Sequence, residues 1–128
     1  MKPIFRLLFI TYSLCICFHI TFAQWKQTNG PQSSSIIGLF SVSSNAGSNT
    51  TLLAGTYQGG IFLSSNLGVS WSAISKGIPT YTSGNSTLFA DVNCFEAIGT
   101  TYLAGTSQGV FRSTDNGETW SVVNSGIS

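Results

Sequence analysis

Two stretches of this chain are copies of one unit, and that repetition limits the possible folds more than any other feature. Leu53-Ala54-Gly55-Thr56 recurs as Leu103-Ala104-Gly105-Thr106, and Gln58, Gly59, Phe62 and Ser64 recur as Gln108, Gly109, Phe111 and Ser113. Gly68, Trp71, Ser72, Gly77 and Ile78 recur in turn as Gly117, Trp120, Ser121, Gly126 and Ile127. The alignment holds 13 identities in 27 pairs, with one extra glycine at 59–60 and a spacing of 49 to 50 residues. A period of that length, filled with short strand-like runs, points to stacked β units that cover each other's apolar faces. A third, shorter echo comes earlier: Trp25-Lys26-Gln27-Thr28-Asn29-Gly30-Pro31 resembles Trp71 to Pro79. It predicts the last strand of a preceding unit.

The local pattern inside each unit is β. Ile36–Val42, Leu52–Thr56, Gly60–Ser64 and Ser70–Ser75 are rich in β-branched and aromatic residues and are bounded by Gly, Asn and Ser. The second unit offers Thr87–Ala97, Thr101–Thr106, Val110–Ser113 and Thr119–Asn124. No window beyond the N-terminal segment has a convincing helical period. The expectation is an all-β chain of two four-stranded antiparallel propeller blades plus one extra strand, making a partial propeller. The boundaries fall at about 24–34 for the extra strand, 35–79 for the first blade and 80–128 for the second.

The segment with most apparent chemistry is Ser113-Thr114-Asp115-Asn116-Gly117-Glu118-Thr119-Trp120, and its worn copy is Ser64-Ser65-Asn66-Leu67-Gly68-Val69-Ser70-Trp71. Asp and Asn in turns accept hydrogen bonds from nearby backbone amides, and Gly permits a positive φ. Asn66 in place of Asp115 would keep such a turn and damage a metal site, which needs the charge. Ser113, Asp115, Gly117, Thr119 and Trp120, with Ser64, Asn66, Gly68, Ser70 and Trp71, are therefore expected to fasten a hairpin. No metal, cofactor or catalytic role is expected of them.

On these residues, 50–128 and more weakly 25–49 resemble the BNR/Asp-box repeat family, in the secreted bacterial wording "LAGT-x-x-G-(x)-φ-F-x-S-x-D-x-G-x-T-W", where φ is apolar. That family includes sialidases, xyloglucanase-type glycoside hydrolases, sortilin-type receptors and photosystem assembly factors. The resemblance implies a β-propeller with the Asp-box on the blade periphery, away from the central site. It transfers no activity.

Residues 1–23 are expected to be a secretory signal peptide. Lys2 and Arg6 precede the mostly apolar run Leu7–Phe22, and Thr21-Phe22-Ala23 sets small residues before Gln24. Only an uncleaved segment would attach the protein to a membrane, and Thr11, Tyr12, Ser13 and His19 weaken it as a span. Cleavage removes Cys15, Cys17 and His19, so Cys94 is left alone and is expected to be a small buried hydrophobe. The remaining charges are Lys26, Lys76 and Arg112 against Asp91, Glu96, Asp115 and Glu118. That is no basic patch, so nucleic acid is not an expected partner.

The same inventory argues against an enzyme. A sialidase-like site needs several arginines, and only Arg112 remains after cleavage, while Tyr57, Tyr81 and Tyr102 read as strand or loop aromatics. Paired carboxylates must flank a glycosidic bond. Asp115 and Glu118 sit in the turn unit, and Asp91 and Glu96, five apart, face opposite sides of a regular strand. The loop Gly77–Ser86 with Tyr81 reads as a polar linker. A propeller closes with about four to eight blades. Two blades leave apolar faces open, so missing blades or self-assembly are expected to complete it, with a fragment of a larger repeat protein favoured over a two-blade sandwich. The functional expectation is a secreted or cell-surface, non-catalytic binding or scaffold module with a protein or glycan partner. The alternative is part of a glycoside hydrolase whose catalytic residues lie on blades absent here.

Overall fold

The structure, a computed structural model, describes residues 29–31, 35–43 and 50–126. The expected signal segment, and the expected extra strand apart from Asn29–Pro31, lie outside the described residues. Among the described residues ten strands follow one another: β1 (Ile36–Ser43), β2 (Thr50–Thr56), β3 (Ile61–Ser64), β4 (Ser72–Ala73), β5 (Thr80–Ser83), β6 (Ser86–Phe89), β7 (Val92–Ile98), β8 (Thr101–Thr106), β9 (Gly109–Ser113) and β10 (Ser121–Val122). They form three open antiparallel sheets: β1-β2-β3-β4, β7-β8-β9-β10 and the hairpin β5-β6. The described chain is all β, and each repeat unit forms one up-and-down sheet.

The two larger sheets share their register as well as their order. Gly38 pairs with Gly55, and Gly55 with Ile61. Cys94 pairs likewise with Gly105, and Gly105 with Val110. A bulge lies at the same place in both first strands, at Ile36/Gly38 and at Val92/Cys94. Side chains alternate across a strand, so Phe40, Leu53 and Leu63 line one face of the first sheet, and Phe95, Ala104 and Phe111 one face of the second. These two faces meet, with β7 lying against β1 and β2. Leu53, Ile61 and Ile78 pack there with Phe95, Tyr102, Ala104, Phe111 and Trp120 in one buried cluster.

The approach is closest where side chains are missing. A Cβ on Gly38 would lie 2.7 Å from the Asn93 carbonyl oxygen, and one on Gly55 would lie 2.2 Å from that of Val92. The backbone of β7 therefore rests directly on the backbone of β1 and β2, and only glycine fits between them.

Four expectations need correction. The run Thr87–Ala97 is not one strand but parts of β6 and β7, broken at Ala90-Asp91. The Ala90 amide closes the hairpin base on the Pro79 carbonyl at 2.9 Å, and this turns the chain out of β6. The polar linker Gly77–Ser86 is in part that hairpin, with Tyr81 opposite Leu88. The closing strands expected over Ser70–Ser75 and Thr119–Asn124 shrink to Ser72–Ala73 and Ser121–Val122, and at the start of the second the Trp120 amide leaves its own sheet for the Lys76 carbonyl at 2.8 Å. Cys94 is exposed, not buried. It stands over Gly105 on the outer face of the second sheet.

The paired glycines give a comparison within one molecule. Gly55→Ala forces a Cβ into the Val92 backbone and is expected to cost about 1–3 kcal/mol, as overpacking does. In Gly105→Ala the obstacle is the exposed Cys94 thiol, which can rotate away, so the loss is smaller. Urea unfolding of both variants checks the order, and an equal loss would contradict the close approach.

Candidate functional site

The ten residues singled out by the repeat form two near-identical hydrogen-bonded turns. In the second, the Ser113 hydroxyl donates to Asp115 Oδ1 at 2.7 Å and accepts the Gly117 amide at 2.8 Å. Asp115 Oδ1 also accepts the Thr119 amide at 2.9 Å, and its Oδ2 accepts the Thr119 hydroxyl at 2.5 Å. In the first turn, the Ser64 hydroxyl donates to Asn66 Oδ1 at 2.9 Å and accepts the Gly68 amide at 2.8 Å, and the Ser70 amide donates to Asn66 Oδ1 at 2.9 Å. One bond reverses direction. Asn66 Nδ2 donates to the Ser70 hydroxyl at 2.8 Å, where Asp115 accepts from Thr119. Both hydroxyls rotate to suit their partner, so the charge can change while the turn is kept. Gly68 and Gly117 have φ of 84° and 92°, the left-handed region that glycine enters freely.

The carboxylate of Asp115 is held at a pKa of about 2, below its ordinary 3.8. The Thr119 hydroxyl is the largest cause, followed by the Ser113 hydroxyl and the Thr119 amide, all of which donate to the ionised form.

Each turn ends on a tryptophan, and here the copies part. Trp120 is buried, its indole N–H donating to the Ile74 carbonyl of the first sheet at 2.8 Å. Trp71 is half-buried, and its indole nitrogen is shut off from solvent with no hydrogen-bond partner among the described residues. The cross-sheet bond of Trp120 was not legible in the sequence, since it depends on which sheets become neighbours.

The other acids lie apart from these turns. Asp91 accepts the Gln58 amide at 3.0 Å, and its own backbone pairs with Ser107, so it ties the β2–β3 turn to the β8–β9 turn. Glu96 is exposed on the outer face of β7, its carboxylate accepting the Ala97 amide at 3.1 Å. Glu118 is exposed. Among the described residues no three His, Cys, Asp or Glu side chains gather where a metal could be held. Comparison with family models, with curated proteins and with solved structures found no match.

The up-and-down topology separates two ends of the stack. The β3–β4 and β9–β10 turns lie at one end. The β2–β3 and β8–β9 turns lie at the other, joined there by the β5–β6 hairpin through the Phe89 amide on the Gln58 carbonyl at 3.0 Å. That end exposes Tyr57 and Tyr81, at 51% and 40%. The hairpin had a sequence signal: Pro79 is separated from Val92 by many more residues than Pro31 is from Ile36, although the early echo sets Pro31 in the place of Pro79.

Two predictions follow from the turns. A carboxylate whose pKa is depressed by folding stabilises the fold above its unfolded pKa, and that stabilisation is lost as pH falls through the folded value. The Asp115 share is therefore full above about pH 5, falls as the pH drops below about 4, and is gone only below about pH 2. Urea unfolding across that range is expected to show a steeper acid loss in the parent than in Asp115→Asn, which at neutral pH unfolds near the parent midpoint. Parallel acid profiles would contradict the assignment. Leu67, exposed and at φ 57°, occupies the position held by Asn116 at φ 56°. Leu67→Asn is expected to raise stability by about 0.5–1 kcal/mol, because Asn tolerates that conformation better, and a lower urea midpoint would contradict it.

Proposed function

We propose that this chain is a non-catalytic binding or scaffold module that works outside the cytoplasm, secreted or at the cell surface. Its two four-stranded sheets are read as consecutive β-propeller blades of the Asp-box kind. Closing such a ring takes further blades or further copies, since about four to eight are needed. The basic start at Lys2 and Arg6, the apolar run Leu7–Phe22 and the small residues before Gln24 support a secretory route.

The observation that carries the binding reading is the β5–β6 hairpin. It is added between two copies of an otherwise regular unit, and its first strand is exposed throughout. Additions at the junctions of a rigid repeat cost the core little and are where recognition residues concentrate. Tyr81 on this hairpin and Tyr57 on the adjoining end offer amphipathic rings. Such rings cover the apolar face of a sugar or a peptide side chain while the hydroxyl finds a polar partner. The acids support the same reading in another way. Asp115 and Asp91 are committed to backbone amides, and Glu96 stands on an outer sheet face. A hydrolase needs two carboxyl groups flanking one bond, and these acids do not converge on one place.

Panels of immobilised glycans and of extracellular proteins, probed with the purified protein, test this. A ligand found in the panels is expected to lose on the order of tenfold in affinity in Tyr81→Ala, as removal of an aromatic anchor does. Undiminished binding in both Tyr81→Ala and Tyr57→Ala would contradict the hairpin end as the binding surface. Release of sugar from the glycans would favour a glycoside hydrolase instead.

A further inference from the structure

The two outer faces of the sheet pair differ in chemistry. On the second sheet, the face turned toward the first carries Phe95, Tyr102, Phe111 and Trp120, none more than 9% exposed. The same register positions on the outer face of the first sheet are Leu39, Leu52, Phe62 and Trp71. Leu39 is 65% exposed, and the other three are half-buried. The outer face of the second sheet is unlike both. Glu96 and Arg112 stand on it where the first sheet has Phe40 and Leu63.

Trp71 marks what belongs on the first sheet's outer face. Its indole N–H is buried without a partner among the described residues, and a buried donor left so is costly. Its twin Trp120 gives the same N–H to the carbonyl of Ile74, one residue before Ser75. The Ser75 hydroxyl accepts the Ile61 amide at 2.8 Å, and in the second unit Asn124 accepts the Val110 amide at 2.7 Å. In the early echo Trp25-Lys26-Gln27-Thr28-Asn29, Asn29 takes the place of Ser75 and Asn124, and Thr28 the place of Ile74. Asn29, Gly30 and Pro31 already lie on this face, lining with Phe62, Ser70 and Trp71 a cavity of about 390 Å³.

We propose that the segment Trp25–Thr28 of this same chain docks on the outer face of the first sheet, its Thr28 carbonyl accepting the Trp71 indole N–H. This rests on the stacked-blade part of the proposed function and adds what occupies the open face. A second copy of the chain, added head to tail, fits worse. It would press Glu96 and Arg112 onto Leu39 and Phe62 and strip two charges of water with no partner facing them. The docked segment satisfies the buried donor, and Glu96 and Arg112 keep their water on the outer face of the second sheet.

Proton NMR of the ¹⁵N-labelled full chain tests the docking through its indole signals. The parent is expected to show an Overhauser contact from Trp71 Hε1 to Thr28 or Asn29, matching one from Trp120 Hε1 to Ile74 or Ser75. Trp25→Ala is expected to speed exchange of Trp71 Hε1 by on the order of tenfold or more, with Trp120 unchanged. Absence of the Trp71 contact in the parent, unchanged Trp71 exchange in Trp25→Ala, or Trp71 protection that grows with protein concentration would overturn the proposal. Loss of the Trp71 contact alone sinks the docking. Loss of the Trp120 contact as well sinks the stacked-blade reading beneath it.

Discussion

The bond from the Trp120 indole to the Ile74 carbonyl, with the glycine-lined approach of β7 onto β1 and β2, is the constraint on which the rest of the molecule depends. Neither large sheet can bury both faces alone. Burial of apolar area drives the two together, but it does not say how they should sit. The backbone does that. Gly38 and Gly55 admit the Val92–Asn93 backbone where any side chain would collide, and the indole then fixes the angle from the far end of the same interface. The Ser-Asp-Gly-Thr turn has its place in this arrangement. It closes β9 toward β10, and in doing so it delivers Trp120 to the neighbouring sheet.

Seen this way, the turn is a lever for a hydrophobic anchor. The comparison of Asp115 with Asn66 shows how loosely its charge is tied to that task. Three contacts keep their geometry, and one hydroxyl changes from donor to acceptor. The carboxylate adds pH dependence to one copy that the amide copy lacks. A site whose chemistry required the charge could not be varied in this way, which is why the binding reading looks to the opposite end of the stack.

Much of this was legible in the residues. The matching Leu-Ala-Gly-Thr runs and the shared Trp spacing foretold two sheets of equal register, because a repeated sequence meets the same local physics twice. The positive φ at Gly68 and Gly117 followed from turn chemistry. The misses share one cause. Cys94 occupies a register position that is covered in the first sheet and open in the second, and a single strand cannot report whether a neighbour will arrive. The hairpin was hidden by a similar effect: Thr87–Ala97 looks like one continuous strand until the Ala90 amide is drawn to Pro79. The spacing between junctions held that information, and strand propensity did not.

If the two sheets are locked as described, they form one cooperative unit. Native-state hydrogen exchange at increasing urea measures this most directly. The amides of Leu53 and Ala54 in the first sheet and of Ala104 and Phe111 in the second are expected to converge on one opening free energy and one urea dependence, equal to those of global unfolding. Two separate isotherms, with either sheet opening while the other stays protected, would contradict the account.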